Sequence, residues 1–383
     1  MRIIFVTNNY TPYSGGVVSS IDATVQELRA QNHEVLIVTL NFLGDAHADP
    51  DYVVRMTCPL RFMYKNNHMA IPWRPTQELL SIVTSFSPDI IHAHHPFLLG
   101  MSGLDVARKI DVPCIFTYHT LYEQYAYYVP VPLICSQPLI RALVKRFCSS
   151  VDGIIVPSSA VKRHVRMQGN RVPIEIIPSA LRTQFFFDAA QAKDMLFLEE
   201  KQHKKNFFDL LLVTRFTKEK NIPFVFDVLK LLPDNVRLTL VGYGQEYEYM
   251  QKVAFDIMRL SQSRVRFIHK PEQHQLLETY RNADLFIFPS KTDTQGLVMA
   301  EAMSQGLPVI ALDGPGQRDI IKQGYNGYII ADAAQAAEII DVIMHDDALH
   351  QQLRNSARKT AALYSSYEHV QQLLAFYETS ISN

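Results

Sequence analysis

Short apolar runs rich in Ile and Val alternate with longer stretches of helical period along this chain, and the rhythm runs twice. The first series is Arg2–Thr7, Glu34–Leu40, Ile90–His94, Pro113–His119, Gly153–Pro157 and Ile174–Pro178. The second is Asp209–Arg215, Val236–Val241, Arg264–Ile268, Leu285–Pro289, Pro308–Leu312 and Tyr328–Ala331. Continuous rather than alternating hydrophobicity marks strands covered on both faces, and strands separated by helices pair in parallel. Val17, Ile21, Val25 and Leu28 recur at three- and four-residue steps, so Val17–Gln31 is predicted as an amphipathic helix. The pattern lapses over 182–207, where a Phe185–Phe187 cluster precedes a polar, Lys-rich stretch, and this segment reads as a connector. The expected fold class is α/β, with doubly wound domains at 1–185 and 186–362. A last amphipathic segment, 363–383, has no strand after it.

A chain of 383 residues is long enough for two such domains. With 48% hydrophobic and 20% charged residues it can bury a full core, which excludes disorder as its main state. Lys and Arg total 37 against 38 Asp and Glu, so no basic excess points to nucleic acid as a partner. A local basic patch facing a membrane remains compatible with that balance. Cys58, Cys114, Cys135 and Cys148 show no metal or C-x-x-C spacing and read as reduced thiols of a cytoplasmic protein. No apolar stretch approaches the ~18 residues of a membrane span, and MRIIFVT begins as a buried strand rather than a leader.

In open parallel sheets, ligands bind beyond the carboxyl ends of the strands. After the first strand, Gly15-Gly16 opens a helix, where a bare backbone can approach a phosphate. The same pair also makes a plain turn. Arg215 and Lys220 follow the first strand of the second series, and two fixed cations there suit a diphosphate, as they equally suit a solvated basic loop. The densest cluster is Pro289 through Met303. A strand runs into a polar loop carrying Asp293, then a helix from about Gly296 whose first N–H groups, at Gly296, Leu297 and Val298, form an anion site. Glu301 lies about one and a half turns further on. Two acceptors flanking an amide nest suit a sugar nucleotide; the plainer reading has Asp293 as a helix cap and Glu301 in a surface pair.

These residues resemble a known family. Asp293 through Glu301 is similar to the E-x7-E signature of family 4 retaining glycosyltransferases, with Asp in the first acidic position. Arg215…Lys220 resembles that family's diphosphate site, Gly15-Gly16-Val17 its N-terminal glycine turn, and Ser87 through His94 its third-strand motif. The resemblance implies the GT-B fold, two Rossmann-like domains facing across a cleft with the C-terminal helix crossing back to the first. It also implies a metal-independent hexosyltransferase with no cofactor beyond its UDP-sugar donor. The implied catalytic residues are His119, Arg215, Lys220 and Asp293. Gly15, Gly16, Gly296, Leu297, Val298 and Glu301 complete the donor site, with Glu301 on the ribose and Asp293 on the sugar. Tyr118-His119-Thr120-Leu121-Tyr122-Glu123-Gln124-Tyr125 and Thr292 through Leu297 are similar to elements of the diacylglycerol glucosyltransferases, which use UDP-glucose. That narrower likeness implies glucosyl transfer to a lipid hydroxyl, that of 1,2-diacylglycerol, at the inner face of the cell membrane. Asp293 in place of Glu, and Thr214, Ala180 and His269-Lys270 in place of glycines, depart from the pattern and bear most on donor identity.

Trp73 lies in a segment, 61–74, that interleaves bulky apolar and basic residues and suits peripheral contact with an anionic membrane. The predicted helix Pro138–Ser149 sets Leu139, Ile140, Leu143, Val144 and Phe147 beside Arg141, Lys145 and Arg146, which fits either a membrane face or a core-facing helix with a solvated rim. Tyr122, Glu123, Tyr125, Tyr127 and Tyr128 could line an acceptor channel or simply pack. His92, His94 and His95 invite a metal reading, but no carboxylate stands at a matching spacing. A same-fold transferase acting on a soluble polysaccharide, sterol or protein would keep every donor residue. A UDP-sugar epimerase would need acid–base groups that the sequence does not place, and a sugar-nucleotide sensor would need no acceptor at all.

Overall fold

The computed structural model describes residues 1–13, 15–42, 49–64, 67–122, 133–186 and 206–382; of residues 64, 67 and 133–136 it describes the backbone only. The chain divides into two units, Met1–Ala180 with Ser366–Asn383, and Leu181–Ser365.

In the first unit the strands are β1 (Arg2–Thr7), β2 (Glu34–Leu40), β3 (Val53–Met56), β4 (Leu60–Tyr64), β5 (Asn67–Ile71), β6 (Ile90–Ala93), β7 (Cys114–Thr117), β8 (Gly153–Val156) and β9 (Ile174–Ile176). All but β4 and β5 form one parallel sheet, in the order β3-β2-β1-β6-β7-β8-β9. The unbroken apolar runs are explained by their two destinations. Ile4, Val6, Val38, Leu40 and Ile91 point into one core layer; Ile3, Phe5, Val35, Ile37 and Ile90 point into the other. Period two thus splits each run between helices on both sides of the sheet.

Helix Gly16–Ala30 buries Val18, Ile21, Val25 and Leu28 against Val370, Leu373, Phe376 and Tyr377 of the C-terminal helix Ser366–Ile381. That helix therefore belongs to the first unit, although all of the second unit precedes it in sequence. Its seat is fitted closely. A Cβ on Gly153 would stand 2.7 Å from the Phe376 ring, so a side chain at this point of β8 would displace the helix.

The second unit holds β10 (Phe208–Val213), β11 (Val236–Gly242), β12 (Val265–His269), β13 (Leu285–Phe288), β14 (Val309–Leu312) and β15 (Gly327–Ile330), again all parallel, in the order β12-β11-β10-β13-β14-β15. Leu210, Leu212, Leu238 and Leu240 fill one core layer; Leu211, Val241, Phe286 and Phe288 fill the other. Strand order reverses beside β10, between β11 and β13. A crevice at that switch point is where an open parallel sheet takes a ligand.

Three features differ from the sequence-based expectations. Strands β3, β4 and β5 are additional to the expected series. They are short, and β4–β5 is an antiparallel hairpin apart from the main sheet. The helix expected from Pro138 begins at Leu133, with Pro138 inside it, where it donates no hydrogen bond. Its stripe also splits. Ile140, Val144 and Phe147 are buried in the core, whereas Leu139 and Leu143 are exposed beside Arg141, Lys145 and Arg146. Finally, Leu181 and Phe185 pack in the second unit's core, because Phe185 meets Tyr280 edge to face and the Leu181 amide donates to the Tyr364 carbonyl. The rest of the expected connector, 187–205, lies outside the described residues.

Candidate active site

In the second unit, four carboxyl-terminal strand ends are tied to one another. Phe216, just past β10, donates its amide to Tyr243 O beyond β11. Gly242 holds these ends together, since a Cβ on it would stand 1.8 Å from Thr214 O, and its φ of 147° is unfavourable for other residues. Asn221, in the left-handed region at φ 52°, reaches Pro289 O beyond β13 with its side-chain amide. Past β14, Gly316 N donates to Asp293 O and the Gln317 side chain to Ser290 O, at 3.1 and 2.6 Å. Loops on different strands are thereby fixed against each other, which a charge-bearing site requires.

Two of the expected residues meet directly. Lys220 ends a 3-10 turn, Lys218–Lys220, and is only 9% exposed; its Nζ donates to Asp293 Oδ1 at 2.6 Å. The other carboxylate oxygen, Asp293 Oδ2, is buried and without a hydrogen-bond partner. A buried acceptor left unpaired costs on the order of 1–3 kcal/mol, so the position favours any hydroxyl donor brought to it. Asp293 is accordingly no helix cap. The Leu297–Ser304 helix is capped by Gly296, in the left-handed region at φ 69°, with no side-chain cap bond. The first-turn amides of Leu297 and Val298 have no intrahelical acceptor by geometry, and both residues are half-buried. Arg215 is exposed, two residues beyond β10.

Glu301 is not in a surface pair. Tyr280, wholly buried on the helix Gln273–Asn282, donates its hydroxyl to Glu301 Oε2 at 2.9 Å. Burial raises the Glu301 pKa, opposed by the Tyr280 hydrogen bond and the positive field of Arg182. Sequence reasoning finds neither Tyr280 nor the Gly316–Gln317 contacts. A tyrosine at helical spacing reads as core, and nothing local marks which acid it meets.

In the first unit the histidines gather at the ends of β6 and β7, with His92 inside β6 and His94, His95 and His119 beyond the strands. His95 Nδ1 accepts from the Asn8 amide at 3.2 Å, and His94 Nδ1 lies 2.9 Å from His119 Nε2 with the rings stacked. Burial, then neighbouring imidazoles, holds His94 neutral and brings the His119 pKa down to about 3. His92 is bonded to the Tyr377 and Thr117 hydroxyls, tying the C-terminal helix to the sheet. Among the described residues no group of three or more His, Cys, Asp or Glu could hold a metal ion. Gly15 caps helix Gly16–Ala30 with extended backbone, and a Cβ on Gly16 would meet nothing within 4 Å. Tyr122 packs against Phe97, Phe116 and Tyr118, which accounts for its ring without an acceptor. Glu123, Tyr125, Tyr127 and Tyr128 lie outside the described residues. Trp73, Arg141 and Lys145 are exposed.

Two doubly wound parallel α/β units, the second with a Lys–Asp pair at its topological switch point, have the architecture of the GT-B class. The solved structure of Anabaena HepE in complex with UDP has the same fold, with a TM-score of 0.76 at 17% identity over 99% of this chain and 100% of that one. The chain belongs to the family 4 glycosyltransferases: Glycosyltransferase Family 4 matches residues 14–185, and Glycosyl transferases group 1 matches 196–360. It is 30% identical to the alpha-monoglucosyldiacylglycerol synthase of Streptococcus pneumoniae, over 92% of this chain and 82% of that protein. It is also 26% identical to a GDP-mannose-dependent alpha-mannosyltransferase of Mycobacterium tuberculosis, over 99% of this chain and 96% of that protein. The protein is a glycosyltransferase.

Proposed function

We propose that this enzyme transfers glucose from UDP-glucose to the free hydroxyl of diacylglycerol, with retention and without a metal. The observation that carries the donor half is the Lys220–Asp293 pair, whose second carboxylate oxygen is buried and unsatisfied. Lys220, Arg215 and the helix amides take the diphosphate; Asp293 accepts from a sugar hydroxyl; Glu301 accepts from the ribose. The acceptor oxygen attacks the anomeric carbon from the face that the phosphate leaves. The bond from that carbon to phosphate breaks, the acceptor's proton passes to the departing phosphate oxygen, and UDP is released. Fixed positive charge stabilises the negative charge that develops on the leaving group, and preorganised electrostatics of this kind usually contribute most to the rate. The likeness to the monoglucosyldiacylglycerol synthase supports the lipid acceptor.

The hairpin β4–β5 supports a peripheral membrane contact. Its cross-strand pairs Leu60–Ile71 and Phe62–Met69 share one face, and all four side chains are exposed, from 38 to 53%. Ala70, on the opposite face, is buried in the core, so the hairpin turns its apolar side outward. Trp73, 68% exposed, follows, and no Asp or Glu occurs between Asp51 and Glu78, whereas Arg61, Lys65 and Arg74 do, besides Arg55, which is paired with Asp49. Apolar anchors close in sequence to cations suit anionic lipid. Among the described residues no helix is long and apolar enough to cross a membrane.

The test supplies purified protein with radiolabelled UDP-glucose, GDP-mannose and other nucleotide sugars, and with diacylglycerol in vesicles with or without phosphatidylglycerol. Label from UDP-glucose should enter the lipid fraction, faster on anionic vesicles. The variant Phe62→Ser/Trp73→Ser should reduce vesicle binding on the order of tenfold or more, given ~1.5–3 kcal/mol for a buried large apolar side chain. Transfer only to a water-soluble acceptor would replace the lipid reading, and label only from GDP-mannose would replace the donor.

A further inference from the structure

We propose that Tyr280 is a positioning residue for nucleotide recognition: its hydroxyl fixes the Glu301 carboxylate in the orientation that accepts the ribose hydroxyls. The inference rests on the reading of Glu301 as the ribose ligand and adds the residue that makes that ligand selective.

Glu301, half-buried, stands one turn inside a helix whose first residue is Leu297, and burial raises its pKa. A long side chain so placed has several rotamers, and a desolvated carboxylate oxygen without a donor would swing back towards solvent. Tyr280 removes that freedom. Its ring is wholly buried, edge-on to Phe185 at 6.2 Å and tilted against Phe286 at 6.1 Å, so its hydroxyl is held by packing rather than by the hydrogen bond it makes. From that fixed point it donates to Oε2 at 2.9 Å. With Oε2 committed to Tyr280, Oε1 is the oxygen left to accept from a ligand. Burial raises the Glu301 pKa, and the Tyr280 hydrogen bond and the positive field of Arg182 oppose that rise, on the side of the ionised form that accepts hydrogen bonds at both oxygens. Recognition of hydroxyls by a preorganised buried acceptor discriminates strongly against ligands lacking them, because the acceptor is then left unpaired.

The experiment compares dissociation constants of UDP and 2′,3′-dideoxy-UDP for the wild type and for Tyr280→Phe, with GDP and its dideoxy analogue run in parallel. The wild type should bind the hydroxylated nucleotide about tenfold to a hundredfold more tightly, as expected for hydrogen bonds to a charged group. In Tyr280→Phe that ratio should shrink to within about threefold, with affinity for the dideoxy nucleotide unchanged. A purely structural role for Tyr280 would weaken both nucleotides alike and leave the ratio intact, which overturns the proposal. A wild-type ratio near one for both nucleotide pairs would instead remove Glu301 as the ribose ligand, and the proposal with it. Should Tyr280→Phe melt below the assay temperature, 3-fluorotyrosine at position 280 keeps the ring and strengthens the donor. The ratio should then rise, and an unchanged ratio counts against the proposal.

Discussion

Lys220→Ala should lower turnover by about two to three orders of magnitude, the cost of removing one group that stabilises charge developing on a leaving group. The size of the effect follows from where the ammonium sits. Lys220 is largely buried, so its field is weakly screened, and its bond to Asp293 holds it at the switch point of the sheet. Alanine removes that cation and also strands the Asp293 carboxylate, both of whose oxygens then lack a partner. Arg215→Ala should act in the same direction. Steady-state kcat with saturating donor measures both, and near-normal rates in the two variants would defeat the diphosphate assignment.

Asp293→Ala should lower kcat/KM on the order of a hundredfold through a different route, the loss of an acceptor for a sugar hydroxyl. Its signature lies in product binding. With its counter-ion gone, Lys220 is free to pair with phosphate alone, so UDP should bind this variant as tightly as the wild type or more tightly. Calorimetric titration with UDP separates the two substitutions, because Lys220→Ala should weaken UDP binding. The double variant should be worse than Lys220→Ala, because the contact to the sugar is lost as well, but by less than the two single losses combined, since both changes break the same pair. Weakened UDP binding in Asp293→Ala would mean that Asp293 serves to hold Lys220 for the diphosphate rather than to accept from the sugar.

The doubly wound architecture is legible because each strand is buried on two faces, and Ile3-Ile4-Phe5-Val6 announces this without any long-range information. The carboxyl-edge rule then picks out Arg215, Lys220, Asp293 and Glu301 from the order of elements alone. What cannot be read is pairing. Lys220 and Asp293 are 73 residues apart, and no local pattern says that the one touches the other. Tyr280 is hidden for a related reason, since its ring belongs to the core and only its hydroxyl belongs to the site. The β4–β5 hairpin escapes because short strands with the apolar side facing solvent violate the rule that patterning arguments use. The helix carrying Pro138 starts earlier than its sequence suggests because proline is favoured in a first turn, whereas here it lies further in.

Everything proposed for the second unit depends on Lys220, Arg215 and the Leu297–Val298 amides gripping two phosphates at once. Titrating the wild-type enzyme with UDP and UMP, and with GDP and GMP, measures that grip without any acceptor or membrane. For the preferred nucleoside, the diphosphate should bind roughly a hundredfold more tightly than the monophosphate, as two or more charge-assisted contacts require. Equal affinity of mono- and diphosphate for both nucleosides would contradict it.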